Sequence, residues 1–156
     1  MKNIGFIGVG TMGFPMALNL IKNGHSLSFF DPFASSKTID TLIEAGAMQD
    51  KSIKELSKGK DFVISMLPIG ENVKDVTLGE DSIINQDNTD LIYIDMSTIL
   101  PADTIEVSKQ LSTKNIQMFD APVGRLVNNA IDGTLLIMVG GSLEDFPKIE
   151  EILKCM

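Results

Sequence analysis

Short apolar runs alternate with amphipathic stretches from the first residues of this chain onward. The apolar runs fall at 4–8, 27–30, 62–66, 91–94, 116–119 and 135–139. Their brevity and neighbouring glycines predict strands buried on both faces. Between them, helical periodicity predicts helices at 11–23, 35–45, 51–58, 71–78, 101–113 and 143–154. In the first, Met12, Met16, Leu20 and Asn23 share a face, and Ala17 allows close approach. Pro101 suits a first helical turn, where its missing N–H costs nothing. Strands alternating with helices imply βαβ crossovers and a parallel sheet. Such a sheet binds ligands beyond the carboxyl ends of its strands.

Composition narrows the class. A length of 156 residues suits one domain, and 44% hydrophobic with 22% charged residues argues against disorder. Thirteen basic against twenty-one acidic side chains leave a net charge of −8, which disfavours nucleic-acid and anionic-membrane surfaces. The single cysteine, Cys155, excludes an internal disulfide and a cysteine-based zinc site. One histidine, His25, gives no metal constellation and reads as a surface or packing residue at a helix-to-strand turn. No run approaches the length of a membrane span, and Met1-Lys2-Asn3 leads straight into a strand pattern rather than a signal peptide. A soluble, cytoplasmic protein is expected. The chain stops after a helical pattern with no strand following it, so residues 1–156 are expected to be the amino-terminal domain of a longer protein.

The strongest local signal is Gly8-Val9-Gly10-Thr11-Met12-Gly13. Glycines at this spacing also mark ordinary strand-to-helix turns. Here they follow a predicted strand and open an amphipathic helix, and Asp31 ends the next strand eighteen residues past Gly13. That context is a dinucleotide fingerprint. Gly8 permits the tight turn, Gly10 the close approach of a pyrophosphate, and Gly13 close helix–strand packing. Thr11 and Met12 would offer backbone N–H groups at the positive end of the helix. A carboxylate at Asp31 accepts from ribose hydroxyls and repels a 2′-phosphate, and only Lys37 and serines follow it, so NAD is favoured over NADP.

Other strand ends carry polar or kinked sequence. Ser65-Met66-Leu67-Pro68 closes one run, where Pro68 ends the ladder and presents Leu67. Asp95-Met96-Ser97-Thr98 closes the next with two hydroxyls, which also read as helix capping ahead of Pro101. The segment Asp120-Ala121-Pro122-Val123-Gly124-Arg125-Leu126-Val127-Asn128-Asn129-Ala130 holds the one arginine among thirteen basic residues. A lone guanidinium at a strand end is either a surface charge or a planar fork for an oxyanion.

Taken in order, these segments resemble the β-hydroxyacid dehydrogenases, a family that includes 3-hydroxyisobutyrate dehydrogenase, tartronate semialdehyde reductase and 6-phosphogluconate dehydrogenase. The resemblance runs through Gly8–Gly13 with Pro15-Met16-Ala17-Leu18-Asn19-Leu20, Met66-Leu67-Pro68, Asp95-Met96-Ser97-Thr98, Asp120-Ala121-Pro122-Val123, Gly133-Thr134-Leu135 and Gly140-Gly141. It implies a Rossmann-type, doubly wound, mostly parallel sheet with helices on both faces. It also implies NAD as cofactor and hydride transfer to or from a small anionic 3-hydroxy acid or aldehyde. By the same resemblance Gly8, Gly10, Thr11, Met12, Gly13, Asp31, Leu67, Pro68 and Thr98 are cofactor positions. Ser97, Gly124, Arg125 and Asn129 are substrate positions, with Arg125 facing the anionic end. Gly124-Arg125, where most of the family has Ser-Gly-Gly, is similar to the branch that reduces 3-sulfolactaldehyde. Leu126-Val127 stand where that branch has small hydroxylated residues, which leaves 3-hydroxyisobutyrate and tartronate semialdehyde open. The family's catalytic lysine lies on a helical second domain beyond residue 156, so no catalytic residue is expected in this chain. The full-length protein is expected to be a homo-oligomer. Two other readings are a catalytically silent NAD-binding module and an S-adenosylmethionine methyltransferase, which also uses a glycine-rich first turn.

Overall fold

Strand β1 (Asn3–Ile7) lies inside a six-stranded parallel sheet with β2 (Ser26–Phe30), β3 (Met48–Gln49), β4 (Phe62–Ser65), β5 (Ile92–Asp95) and β6 (Gln117–Asp120). The computed structural model describes residues 1–86 and 90–156. The strand order is β3-β2-β1-β4-β5-β6, and every pairing in it is parallel. Parallel neighbours need crossovers, which here are α1 (Gly13–Lys22), α2 (Ser36–Glu44), α3 (Ile53–Ser57), α4 (Gly70–Leu78) and α5 (Pro101–Ser112). The order reverses between β1 and β4, and that is the crevice where such sheets take ligands.

Alternate residues of β1, β2, β4, β5 and β6 feed two separate cores. Ile4, Phe6, Phe29, Ile64 and Ile94 pack on one face with Met16 and Leu20 of α1 and Leu42 of α2. Ile7, Val63 and Tyr93 pack on the other with Leu56 of α3, Val73 of α4 and Val107 of α5. Burial on both faces is why these strands read as continuous apolar runs. On α1 the predicted face holds for Met16, Ala17 and Leu20, all fully buried, but Asn23 is exposed and caps the helix end. Pro101 occupies the first turn of α5 as expected.

The run at 135–139 departs from the prediction. Its core, β8 (Leu136–Ile137), pairs antiparallel with β7 (Val123–Gly124) in a separate two-stranded ribbon, outside the main sheet. Leu136 and Met138 are each 51% exposed, so this run is not buried on both faces. The ribbon touches β6 through one bridge, Asp120 to Gly140. Helix α6 (Val127–Asp132), absent from the prediction, is tied to α1 because Asn19 Nδ2 donates to the Ala130 carbonyl at 2.7 Å. Helix α7 (Pro147–Leu153) buries Ile149 and Ile152 in the first core. No helix among the described residues is long and apolar enough to cross a membrane.

Candidate functional site

The β1–α1 turn separates its three glycines by cause. Gly8 has φ +87°, and a Cβ there would run into the Met66 carbonyl and lie 2.9 Å from Leu67 Cδ2. At Gly13 a Cβ would fall on the Gly8 carbonyl. Backbone packing therefore fixes both glycines. Around Gly10 nothing lies within 4 Å of where a Cβ would stand, so the fold alone does not require glycine there. Open space over that backbone fits the close approach of a ligand. Helix α1 starts with no side-chain cap at Met12; Phe14 N is paired with the Gly10 carbonyl at 2.9 Å and Pro15 has no N–H, so the donors left to a ligand are those of the turn leading into the helix.

Asp31 follows β2 and bends back over this turn. Its Oδ2 accepts from Val9 N and its Oδ1 from Phe33 N, both at 2.9 Å. A cavity of about 380 Å³ opens here, and Gly8, Gly10, Asp31, Leu67 and Pro68 line it together. Pro68 also borders a second hollow of about 590 Å³, which includes Thr98. Thr11 faces a third, smaller hollow that reaches Val127 and Ile131 of α6. Met12 packs against the first core, and Gly13 is buried in the turn. Two residues missed in the sequence, Asn72 and Asp75 of α4, line the first cavity too. Their signal was faint: two polar residues one helical turn apart, following the Leu67-Pro68 strand end.

Ser97 does not reach a cavity surface. It is fully buried, and its Oγ accepts from Leu67 N at 2.9 Å, joining the loops after β4 and β5. Beneath it lies a buried polar cluster. Tyr93 OH and Ser65 Oγ are 2.6 Å apart, Ser65 Oγ donates to Asp95 Oδ1 at 2.8 Å, and Ser97 N donates to the same oxygen at 3.1 Å. Asp95 is fully buried, and its Oδ2 has no partner among the described residues. Burial holds the Asp95 carboxyl above its ordinary value, despite the donors from Ser97 and Ser65. The Tyr93 hydroxyl is likewise pushed well up by burial and then by the charge of Asp95. Asp120, opposite Asp95 in the β5–β6 register, is raised by burial and by Asp95.

Of the predicted substrate residues, Arg125 and Asn129 meet at Thr134, whereas Ser97 is buried elsewhere. Arg125 is exposed, with φ +77°, and its Nη1 donates to the Thr134 carbonyl at 2.8 Å. Asn129 Nδ2 donates to Thr134 Oγ1 at 3.2 Å, while its Oδ1 accepts from Leu126 N at 3.3 Å. Gly124 precedes them in the β7–β8 ribbon. His25 Nδ1 accepts from Lys2 N at 3.3 Å, and its Nε2 lies 3.6 Å from Cys155 Sγ. Among the described residues no three His, Cys, Asp or Glu side chains gather to hold a metal.

The chain as a whole is similar to known proteins. The chain is 40% identical to 3-sulfolactaldehyde reductase of Escherichia coli over 156 residues, which is 100% of this chain and 52% of that protein. It is 38% identical to 3-hydroxyisobutyrate dehydrogenase of Pseudomonas aeruginosa, again over 100% of this chain and 52% of the relative. Among solved structures, 3-hydroxyisobutyrate dehydrogenase of Mycobacterium tuberculosis with L-serine superposes with a TM-score of 0.85 at 32% identity, covering 100% of this chain and 52% of the other. The chain thus spans about half the length of the curated relatives it matches. The family model described as the NAD binding domain of 6-phosphogluconate dehydrogenase matches residues 3–156, which removes the methyltransferase alternative. With that model covering the glycine turn, Asp31 and every strand end described above, the chain belongs to the β-hydroxyacid dehydrogenase family as an NAD-binding domain.

Proposed function

We propose that this chain is the cofactor-binding, amino-terminal half of an enzyme that moves a hydride between NAD(H) and a small anionic 3-hydroxy acid or its aldehyde, with 3-sulfolactaldehyde the favoured substrate. The observation that carries the cofactor side is the Asp31 carboxylate, tethered by Val9 N and facing the same cavity as Gly8 and Gly10. Its remaining lone pairs suit the two hydroxyls of a ribose, and its charge opposes a 2′-phosphate. The uncapped first turn of α1, with Thr11 and Met12, would hold the pyrophosphate over Gly10. Leu67, Pro68 and Thr98 would border the nicotinamide, and Ser97 would act through Leu67 by keeping that loop in place. When bound, the nicotinamide supplies the hydride chemistry. The proton is assigned to the lysine expected on a second, helical domain, so the 156-residue chain should show no turnover by itself.

Arg125 supports an anionic substrate. It is the chain's lone arginine, and one N–H donor is already committed to Thr134, which aims the rest of the fork. The Gly124-Arg125 pair and the 40% identity to a 3-sulfolactaldehyde reductase favour a sulfonate. A carboxylate substrate, 3-hydroxyisobutyrate or tartronate semialdehyde, is favoured instead by the apolar Leu126-Val127 and by the 38% identical 3-hydroxyisobutyrate dehydrogenase. Calorimetric titration tests the cofactor reading. NADH should bind at least about tenfold more tightly than NADPH, and Asp31→Ala should narrow that gap by losing a hydrogen bond of about 0.5–1.5 kcal/mol and the repulsion. Equal or reversed affinities in the unmodified chain would overturn it.

A further inference from the structure

Helix α4 adds two polar residues to the lining of the 380 Å³ cavity, half-buried Asn72 and, exposed to solvent, Asp75, which the glycine turn and Asp31 leave unexplained. Asn72 and Asp75 stand one helical turn apart, on one face with Val76. Neither side chain has a hydrogen bond or an ion pair among the described residues. Lys74 of the same helix is the contrast, since it pairs with both Asp103 and Glu106 of α5 at 2.8 Å. Lys74 is thus held by the neighbouring helix, whereas Asn72 and Asp75 line the cavity with no protein partner among the described residues.

The rest of that wall is apolar, with Phe30, Pro32 and Phe33 following β2. Apolar walls with a few converging polar groups are what a flat heterocycle requires: surfaces for its faces and partners for its edge. An asparagine amide presents one donor beside one acceptor, which matches the adenine edge formed by the exocyclic amine and the adjacent ring nitrogen. An aspartate is acceptor-only, so it suits the amine's second hydrogen and repels a carbonyl oxygen in the same place. Asp31 shares this cavity, so a base attached to the ribose it holds has these side chains within its surroundings.

We infer that Asn72, assisted by Asp75, reads the amine edge of the adenine ring and makes the site selective for adenine over purines with a carbonyl at that position. The inference rests on the NAD reading above and adds to it a base-reading element that the glycine fingerprint does not contain. Replacing the amine by a carbonyl, as in nicotinamide hypoxanthine dinucleotide, removes a donor and sets oxygen against the Asp75 carboxylate.

The test is titration of the purified chain with NADH and with the reduced hypoxanthine analogue. The unmodified chain should prefer NADH by about tenfold, the effect of one or two hydrogen bonds. The near-isosteric Asn72→Leu and the double variant Asn72→Leu/Asp75→Ala should bring that ratio toward one. Both side chains lie outside the cores, and thermal melting without ligand verifies that the variants fold. Equal affinities in the unmodified chain, or a preference that survives in the double variant, would overturn the inference while leaving the NAD reading intact. Absence of NADH binding would remove the NAD reading and this inference with it.

Discussion

Arg125 holds a backbone conformation that its side chain does not favour. A φ of +77° places it in the left-handed region, where a residue with a Cβ costs about 1–2 kcal/mol relative to glycine. The surrounding loop enforces it, since Arg125 Nη1 is anchored on Thr134 and Asn129 grips the same residue. Strain of this kind is kept where a particular side chain is needed, which agrees with an anion-binding role. Arg125→Ala and Arg125→Gly both delete the guanidinium, but only glycine relieves the backbone. The glycine variant should therefore be more stable than the alanine variant by about 1 kcal/mol, read as a higher urea midpoint. Coinciding midpoints would mean that the left-handed residue stores no energy. Neither change should alter NADH affinity, because the residue lies in the β7–β8 loop, away from the cavity that Asp31 lines.

At the scale of the element, the β1–α1 turn offers a paired experiment. Gly13→Ala drives a Cβ into the Gly8 carbonyl, a backbone atom that cannot rotate away, and should cost about 1–3 kcal/mol in denaturant unfolding. Gly10→Ala meets open space, so its stability should stay within about 0.5 kcal/mol while NADH affinity falls. Loss of stability at Gly10, or none at Gly13, would contradict the packing described. These glycines were legible in the sequence because spacing, strand and helix all agreed there. So were five of the six strands of the main sheet, whose double-sided burial wrote them as apolar runs. Strand β3 was not, since Met48–Gln49 is too short to show a period and lies at the sheet edge. The 135–139 run looked the same as a core strand because its apolar content is local, whereas its antiparallel pairing with Val123–Gly124 is a long-range fact. Asn72 and Asp75 were hidden because polar residues on a helix ordinarily face water, and only the fold sets that stretch of α4 beside a cavity.

The whole molecule carries its net charge of −8 with two carboxyls pressed against the sense of that charge. Asp95 and Asp120 are both raised above 3.8, first by burial, so the folded state holds their protons longer than the unfolded chain does. The stability they contribute is complete below that ordinary value and declines as pH rises through the interval up to their folded values. Asp145, lowered by its contacts with Lys148 and Gln117, has the opposite sign and gives up stability only in more acid solution. Asp95→Asn keeps an acceptor for Ser65 and Ser97 but removes the charge near Tyr93 and Asp120. Its melting temperature should gain on that of the unmodified chain as pH is raised from 4 toward 8, and parallel curves would show that Asp95 carries no buried charge across that range. The order of the sheet also has a consequence for how the chain is made. Ile4 pairs on one side with Leu27 and on the other with Phe62, so β1 is completed only when β4 has been synthesised. Through that interval a strand bearing Ile4, Phe6 and Ile7 leaves one row of backbone donors and acceptors open beside an emerging chain, where it is a template for wrong partners. The segment that shapes the cofactor turn is thus made before β4 and must wait for that distant strand, so slower synthesis between Ile7 and Phe62 lengthens the time its edge stays open.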